Sequence, residues 1–205
     1  MKCTTPHIPP EREIPIRGFR FIAGIDEAGR GSLAGSVVAA AVILPKNHTI
    51  CGIADSKKLS PKKRETLFNA IYEQALAVGV GIVGHREIDR INILQASLKA
   101  MHLAVLDLRF DADYLLVDGI HSISSSIPQS TIVKGDSKSP SIAAASIIAK
   151  VTRDRMMIEY HTLFPEYNFA KNKGYGTKEH KLAIRRFGCC EIHRQSFTGV
   201  KEYSG

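Results

Sequence analysis

The sequence predicts an α/β fold: a mixed central sheet with helices packed on it and a helical region at the C-terminal end. Two apolar, strand-like runs come early, Arg20 to Ile25 and Ser36 to Leu44, joined by a short Gly-bearing connection as in an antiparallel pair. Later apolar runs alternate with stretches of helical period. The segment Ser141 to Val151 (SIAAASIIAKV) is apolar almost all round, which places its helix at the centre of the packing.

Taken in order, the elements have local causes. Ser36 to Leu44 is rich in Val, Ile and Ala, as a buried strand requires. Ser60-Pro61 reads as an N-cap followed by proline at the first helical position. The helix it opens sets Leu67, Phe68, Ile71, Tyr72, Ala75 and Leu76 on one stripe. Val80 to Val83 predicts a short strand. A second helix carries Leu94, Leu98, Met101, Val105 and Leu108 at intervals of four and three. Tyr114 to Val117 is a short apolar strand and Thr131 to Val133 a weaker one. Within the central helix Ala143, Ala144 and Ala145 permit close approach of a backbone. Thr177 to Phe187 makes a last, basic helix, stopped by Gly188.

The chain has 205 residues, 44% of them apolar, enough for one domain without a metal or disulfide staple. The expected organisation is a flexible extension over residues 1–18 and a single catalytic domain over residues 19–205. The extension carries Pro6, Pro9, Pro10 and Pro15 and lacks the apolar core of a signal peptide. The longest apolar run, Val37 to Pro45, falls far short of the ~20 residues of a membrane helix. A cytoplasmic, monomeric protein with no membrane partner is expected. The four cysteines show no C-x-x-C spacing, so they offer no zinc site. Lys and Arg outnumber Asp and Glu by 28 to 20, a formal charge of +8 that attracts polyanions.

Certain acids fall where buried strands emerge. Asp26 and Glu27 follow Phe21 to Ile25, Asp118 follows Tyr114 to Val117, and Asp136 lies just beyond Thr131 to Val133. Strand ends of mixed α/β sheets are common ligand sites. Carboxylates gathered on one sheet edge repel one another unless a cation lies among them, and hard divalent ions such as Mg²⁺ or Mn²⁺ prefer oxygen ligands. Two such ions about 4 Å apart suit in-line phosphoryl displacement. Asp26 and Glu27, being consecutive, reach one site only if the strand ends or bends there, a departure that Gly29 and Gly31 permit. Each acid alone also fits an ordinary loop start, which Asp favours.

The segment FIAGIDEAGRGSLAG closely resembles the opening motif of bacterial ribonuclease HII, with Asp26, Glu27 and the tripeptide Gly29-Arg30-Gly31. The likeness continues in order through Asp55-Ser56-Lys57-Lys58-Leu59-Ser60, Asn92-Ile93-Leu94, Val117-Asp118-Gly119 and Lys134-Gly135-Asp136-Ser137. It runs on through IAAASIIAKVTRD (142–154) and Lys173-Gly174-Tyr175-Gly176-Thr177, spanning roughly residues 20 to 200. The resemblance implies an RNase H-like fold and a metal-dependent endoribonuclease. Its substrates would be RNA-DNA hybrids and duplex DNA carrying single ribonucleotides, cut 5′ of the ribonucleotide to leave 3′-hydroxyl and 5′-phosphate ends. It assigns the metal-binding, catalytic acids to Asp26, Glu27 and Asp118, with Asp136 as the fourth carboxylate, and Mn²⁺ or Mg²⁺ as cofactor. It also assigns ribonucleotide-junction recognition to the Gly29-Arg30-Gly31 backbone and Tyr175. One departure stands out: Ser32 occupies a position that is usually proline in the family, which frees an N–H and relaxes φ.

The residues themselves offer roles consistent with that assignment. Side-chain-free backbone at Gly29 and Gly31 can approach a sugar and sense its 2′-hydroxyl, where a plain glycine turn is the alternative. Arg30 can pair with a phosphate or remain a solvated turn residue. Tyr175, between Gly174 and Gly176, can stack on a sugar; elsewhere such a tyrosine is a core anchor. Lys57, Lys58, Lys62, Lys63 and Arg64 form one basic cluster, with Lys57 and Lys58 the expected nucleic-acid contacts. Lys178, Lys181, Arg185 and Arg186 form another on the last helix. His102 reads as a packing residue and His121 as a neighbour of the site. A ribonuclease HIII-type enzyme and a non-catalytic hybrid-binding module are the alternatives. Incision at a lone ribonucleotide discriminates the first, and metal-dependent scission the second.

Overall fold

The computed structural model describes residues 18–53 and 59–203. The expected extension therefore lies almost wholly outside the described residues, as do Lys57 and Lys58. Among the described residues one sheet holds five strands: β1 (Ile22–Ala28), β2 (Val37–Ile43), β3 (Ala77–Val83), β4 (Tyr114–Asp118) and β5 (Gln129–Ile132), in the order β3-β2-β1-β4-β5. The first three form an antiparallel meander, while β1 pairs parallel with β4 and β4 with β5. The sheet is mixed, as predicted.

Helices cover both faces. α1 (Pro61–Gln74) starts at Ser60, whose side chain accepts from the Lys63 N–H, with proline at its first position. It lies with the long α4 (Pro140–Leu163) on one face, and α3 (Ile93–Asp107) lies on the other. The short α2 (His85–Ile91) precedes α3 and is divided from it at Asn92, whose φ is 67°. On β2, Val37, Ala39, Ala41 and Ile43 face α3 while Ala40 and Val42 face α4. A strand buried on both sides reads as one continuous apolar run. Beyond α4, the turn α5 (Phe169–Asn172) and α6 (Lys178–Phe187) pack around Met157, Tyr167 and Phe169 as a C-terminal lobe, which also takes in Leu33 and Ala34.

The structure corrects the sequence reading in three places. β1 and β4 run on past their apolar residues, so Asp26, Glu27 and Asp118 are strand residues and do not follow the strands. On α3 the deepest face is Ala96, Ala100, Met101 and Ala104, with Leu94, Leu98 and Val105 only half-buried. The cause lies on β3, where a Cβ at Gly81 would overlap the Ala100 carbonyl. The helix comes so near the sheet that only alanine fits between them. On α1, Tyr72 stays largely exposed although it shares the predicted stripe. The closest approach of α4 to the sheet falls just before its alanines, where Gly24 on β1 abuts the backbone of Ser141 and Ile142. Among the described residues no helix is long and apolar enough to cross a membrane.

Candidate active site

The site forms where the parallel ladder stops. β1 and β4 pair from Ile22↔Tyr114 to Ile25↔Val117 and no further, while β1 continues against β2 as far as Ala28↔Val38. Asp26 and Asp118 thus leave the carboxyl ends of two adjacent parallel strands, where open α/β sheets place ligands. Asp26, Glu27 and Asp118 line one cavity of about 450 Å³ together with Gly29, Arg30, Gly31, Arg64, Ser146, Lys150 and Tyr175. The neighbours Asp26 and Glu27 share it because the strand ends one residue later, at a Gly29 with φ of +97°.

Each carboxylate has its own setting. Asp26 is buried, and its Oδ1 accepts from the Glu27 N–H at 2.7 Å. Burial, then the Glu27 and Asp118 charges, push its pKa well above the usual carboxylate range, against a hydrogen bond from Ser146 on α4. Burial also raises Glu27, opposed chiefly by Arg30, whose Nη1 lies 3.2 Å from Glu27 Oε1. Asp118 Oδ1 accepts from the Gly135 N–H at 2.6 Å. Asp136 is buried on the short 3₁₀ turn Gly135–Ser137, entered through a left-handed Lys134, and does not line the cavity. Three of the four predicted acids therefore come together, and the fourth sits beside the residue that holds Asp118.

Among the described residues no three carboxylate, imidazole or thiolate groups stand close enough to hold an ion as they are. Their chemistry fits a divalent ion: the donors are oxygens, and a carboxyl whose pKa is raised by burial and then by two neighbouring acids marks a place where a hard cation would favour the ionised form.

Behind the turn at residues 29–31 lie two buried arginines that the sequence reading missed. Arg194 donates to the carbonyls of Gly29 (2.7 Å), Arg30 (3.0 Å) and Gly35 (2.9 Å). Arg153, on α4, donates to Ser36, Ala34 and Lys173 at 3.0, 3.1 and 2.9 Å. The peptides here are trans, so a carbonyl turned toward Arg194 turns the next N–H the other way. The N–H groups of Arg30 and Gly31 consequently point away from the buried guanidinium. Gly29 is required because a Cβ there would overlap Arg153, whereas Gly31 faces open space. Arg153 sits where α4 passes from its apolar half to a charged one and so looks like an ordinary surface cation, and Arg194 follows the last predicted helix and carries no local pattern.

Tyr175 is 36% exposed at the rim, its ring 5.6 Å from Lys150 Nζ and 5.5 Å from Arg153 Cζ. Its backbone forms an isolated antiparallel bridge with Ser32. The Ser32 N–H lies 3.4 Å from the Gly29 carbonyl, closing the turn. Lys150, which also pairs with Asp154 at 2.6 Å, is a cavity cation absent from the predicted set. Of the described members of the predicted basic cluster, Arg64 lines the cavity. His102 is half-buried on α3 and His121 is exposed.

A protein-family model described as ribonuclease HII matches residues 23–200. A ribonuclease HII of Syntrophus aciditrophicus is 62% identical over 187 residues, covering 91% of this chain and 88% of the relative. The crystal structure of ribonuclease H2 from Pyrococcus horikoshii superposes with a TM-score of 0.75 at 27% identity, covering 89% of this chain and 96% of that one. A ribonuclease HIII structure in complex with Mn²⁺ superposes at 0.71 with 18% identity, covering 91% of this chain and 70% of that one, a likeness of fold.

Proposed function

The chain belongs to the ribonuclease HII family of metal-dependent endoribonucleases, and from that premise we propose that it incises duplex DNA 5′ of embedded ribonucleotides as well as the RNA strand of hybrids. Its fold is RNase H-like. The carrying observation is the convergence of Asp26, Glu27 and Asp118 with the Gly29–Gly31 turn and Tyr175 on one cavity.

In the proposed roles, Asp26, Glu27 and Asp118 bind Mg²⁺ or Mn²⁺. Asp136 is the fourth carboxylate, on the turn whose Gly135 N–H orients Asp118. Bound there, divalent ions supply an activated water and stabilise the leaving 3′ oxygen. The Arg30 and Gly31 N–H groups, turned outward by Arg194, meet the 2′-hydroxyl or its phosphate. The half-exposed Tyr175 ring stacks on the sugar at the junction. Arg30, Arg64 and Lys150 neutralise backbone phosphates, and Arg30 exchanges Glu27 for phosphate when substrate arrives. Lys57 and Lys58 serve as further phosphate contacts on the strength of the sequence motif.

The test is cleavage of a duplex carrying one ribonucleotide, with and without Mg²⁺ or Mn²⁺. Metal-dependent incision leaving a 3′-hydroxyl is expected, and Asp118→Asn should lower the rate roughly 10³-fold or more, as removal of one member of a cooperating set does. Folded Asp118→Asn protein that cleaves like the parent would defeat the assignment. Hybrid cleavage without incision at a lone ribonucleotide would favour the ribonuclease HIII-type alternative.

A further inference from the structure

Tyr175 and the Gly29–Gly31 turn come from opposite ends of the chain, and their spacing has a visible support. His180 on α6 and His193 in the segment after it are both fully buried, with their Nε2 atoms 3.0 Å apart. They sit in a box formed by the rings of Tyr167 and Phe169. The box accounts for their burial but not for their hydrogen bonds.

Those bonds determine where each proton lies. The Cys190 backbone N–H points at His193 Nδ1 from 2.9 Å, nearer than the Cys190 thiol at 3.1 Å, which can also donate, and nearer than the Cys190 carbonyl oxygen at 3.3 Å. A backbone N–H can only donate, so Nδ1 accepts and a neutral His193 carries its proton on Nε2. That proton faces His180 Nε2, which must accept it, leaving the His180 proton on Nδ1. His180 Nδ1 is 3.0 Å from the Tyr175 carbonyl oxygen and donates to it. One direction of donation thus runs from Cys190 through His193 and His180 to Tyr175. Burial favours the neutral form of both rings, holding the pKa of His180 low and that of His193 at about 4.

The relay closes a ring of contacts around the two junction-reading elements. Tyr175 bridges to Ser32; two residues on, Ala34 bridges to His193; and His193 returns through His180 to Tyr175. The next residue, Arg194, holds the Gly29 and Arg30 carbonyls, while its own N–H donates to Leu33 at 2.8 Å. The Tyr175 carbonyl also accepts from the Thr177 N–H at 2.8 Å, so the histidine bond adds a second restraint on the same peptide.

We propose that His180 and His193 are positioning residues, a buried imidazole pair of fixed tautomers that holds Tyr175 in register with the Gly29–Gly31 turn. The proposal rests on the junction-reading roles assigned above. A displacement of about 1 Å far from the reacting atoms can cost ~100-fold in rate, so loosening this register should fall on junction selectivity. The experiment measures the ratio of incision at an RNA–DNA junction to incision within an uninterrupted ribonucleotide run. It compares the parent with His180→Phe, His193→Phe, the double variant and Tyr175→Ala, each checked for fold by circular dichroism. Phenylalanine keeps a flat aromatic ring, slightly larger than imidazole, and removes every side-chain hydrogen bond. The ratio is expected to fall about tenfold in each single histidine variant and no further in the double, since either change breaks the same relay. Folded single variants that keep the parent ratio would overturn the proposal, as would losses that simply multiply in the double. Should the variants not fold, ¹⁵N shifts of the parent imidazoles decide: protons on His180 Nδ1 and His193 Nε2 support it, and any other pair of tautomers overturns it. A parent with no junction preference, or a Tyr175→Ala variant that keeps it, would remove the junction-reading premise and the proposal with it.

Discussion

At the scale of single residues the acids are held at a cost in stability that the proposed cation would remove. Asp26 is buried beside two other acids and its folded-state pKa stands well above the ordinary 3.8. Between those two values the folded state binds the proton more tightly than the unfolded one, so stability falls as pH rises through that interval and stays lower above it. Asp26→Asn removes the liability while keeping the shape of the side chain. The variant should be inactive yet more stable than the metal-free parent at neutral pH, with Tm higher by about 2–4 °C for each kcal/mol relieved in a chain of this size. Thermal unfolding in excess chelator measures it, and a variant less stable than the parent would show that Asp26 is a structural acid. The identity of such residues was legible in the sequence because acids at strand ends are visible beside apolar runs. Arg153, Arg194 and the histidine pair were not: their partners are backbone carbonyls and each other, brought together across sequence separations of 117 and 159 in the case of Arg153 with Ser36 and Arg194 with Gly35.

At the scale of elements, the reading from sequence succeeded where apolar periodicity reports burial directly, as in β2, α1 and α4. On α1 the success stops at Leu67, Phe68 and Ile71, because Tyr72 is exposed and the helix ends at Gln74, before Ala75 and an exposed Leu76. The reading failed where the backbone itself is the contact surface. The leucines of α3 suggested a stripe that the structure leaves half-buried, because Gly79 and Gly81 on β3 draw the helix in on its alanine side. The extension of β1 to Ala28 was hidden for a related reason: its pairing with β2 depends on backbone groups, so Asp26 and Glu27 continue the strand despite their charge. The glycine account has a direct consequence. A methyl group at Gly81 would meet the backbone of Ala100 and Ala104, atoms that cannot rotate away, so Gly81→Ala must push α3 off the sheet. Overpacking of that kind costs at least about 2 kcal/mol, and the chemical denaturation midpoint should drop accordingly with the m-value unchanged. A Gly81→Ala protein of parental stability would mean that the helix has room to retreat and that the alanine face is not dictated by β3.

Across the whole molecule, two buried regions respond to pH in opposite senses, and a divalent ion distinguishes them. His193 is neutral in the C-terminal lobe with a pKa lowered from 6.5 to about 4, chiefly by burial and then by the His180 charge, with His85 adding to it. Its unfolded form takes up a proton first as pH falls, so the stability it contributes is complete above about 6.5 and is lost between there and 4. The carboxylates at the strand ends act the other way, since Asp26 and Glu27 both have raised pKa values and lose their protons unfavourably as pH rises. In metal-free protein the two contributions oppose one another wherever their pH windows overlap, the imidazole supplying a limb that falls toward acid. A cation bound by ionised carboxylates stabilises only the form that has lost those protons. Mg²⁺ should accordingly raise Tm increasingly toward neutral and alkaline pH and leave the acid limb in place, while His193→Phe should flatten the acid limb and leave the metal effect in place. Thermal melts from pH 4 to 8, with and without a fixed Mg²⁺ concentration, separate the two. Equal stabilisation by Mg²⁺ at pH 4 and pH 8 would place the ion on groups other than these buried acids, and the catalytic assignment would lose its physical basis.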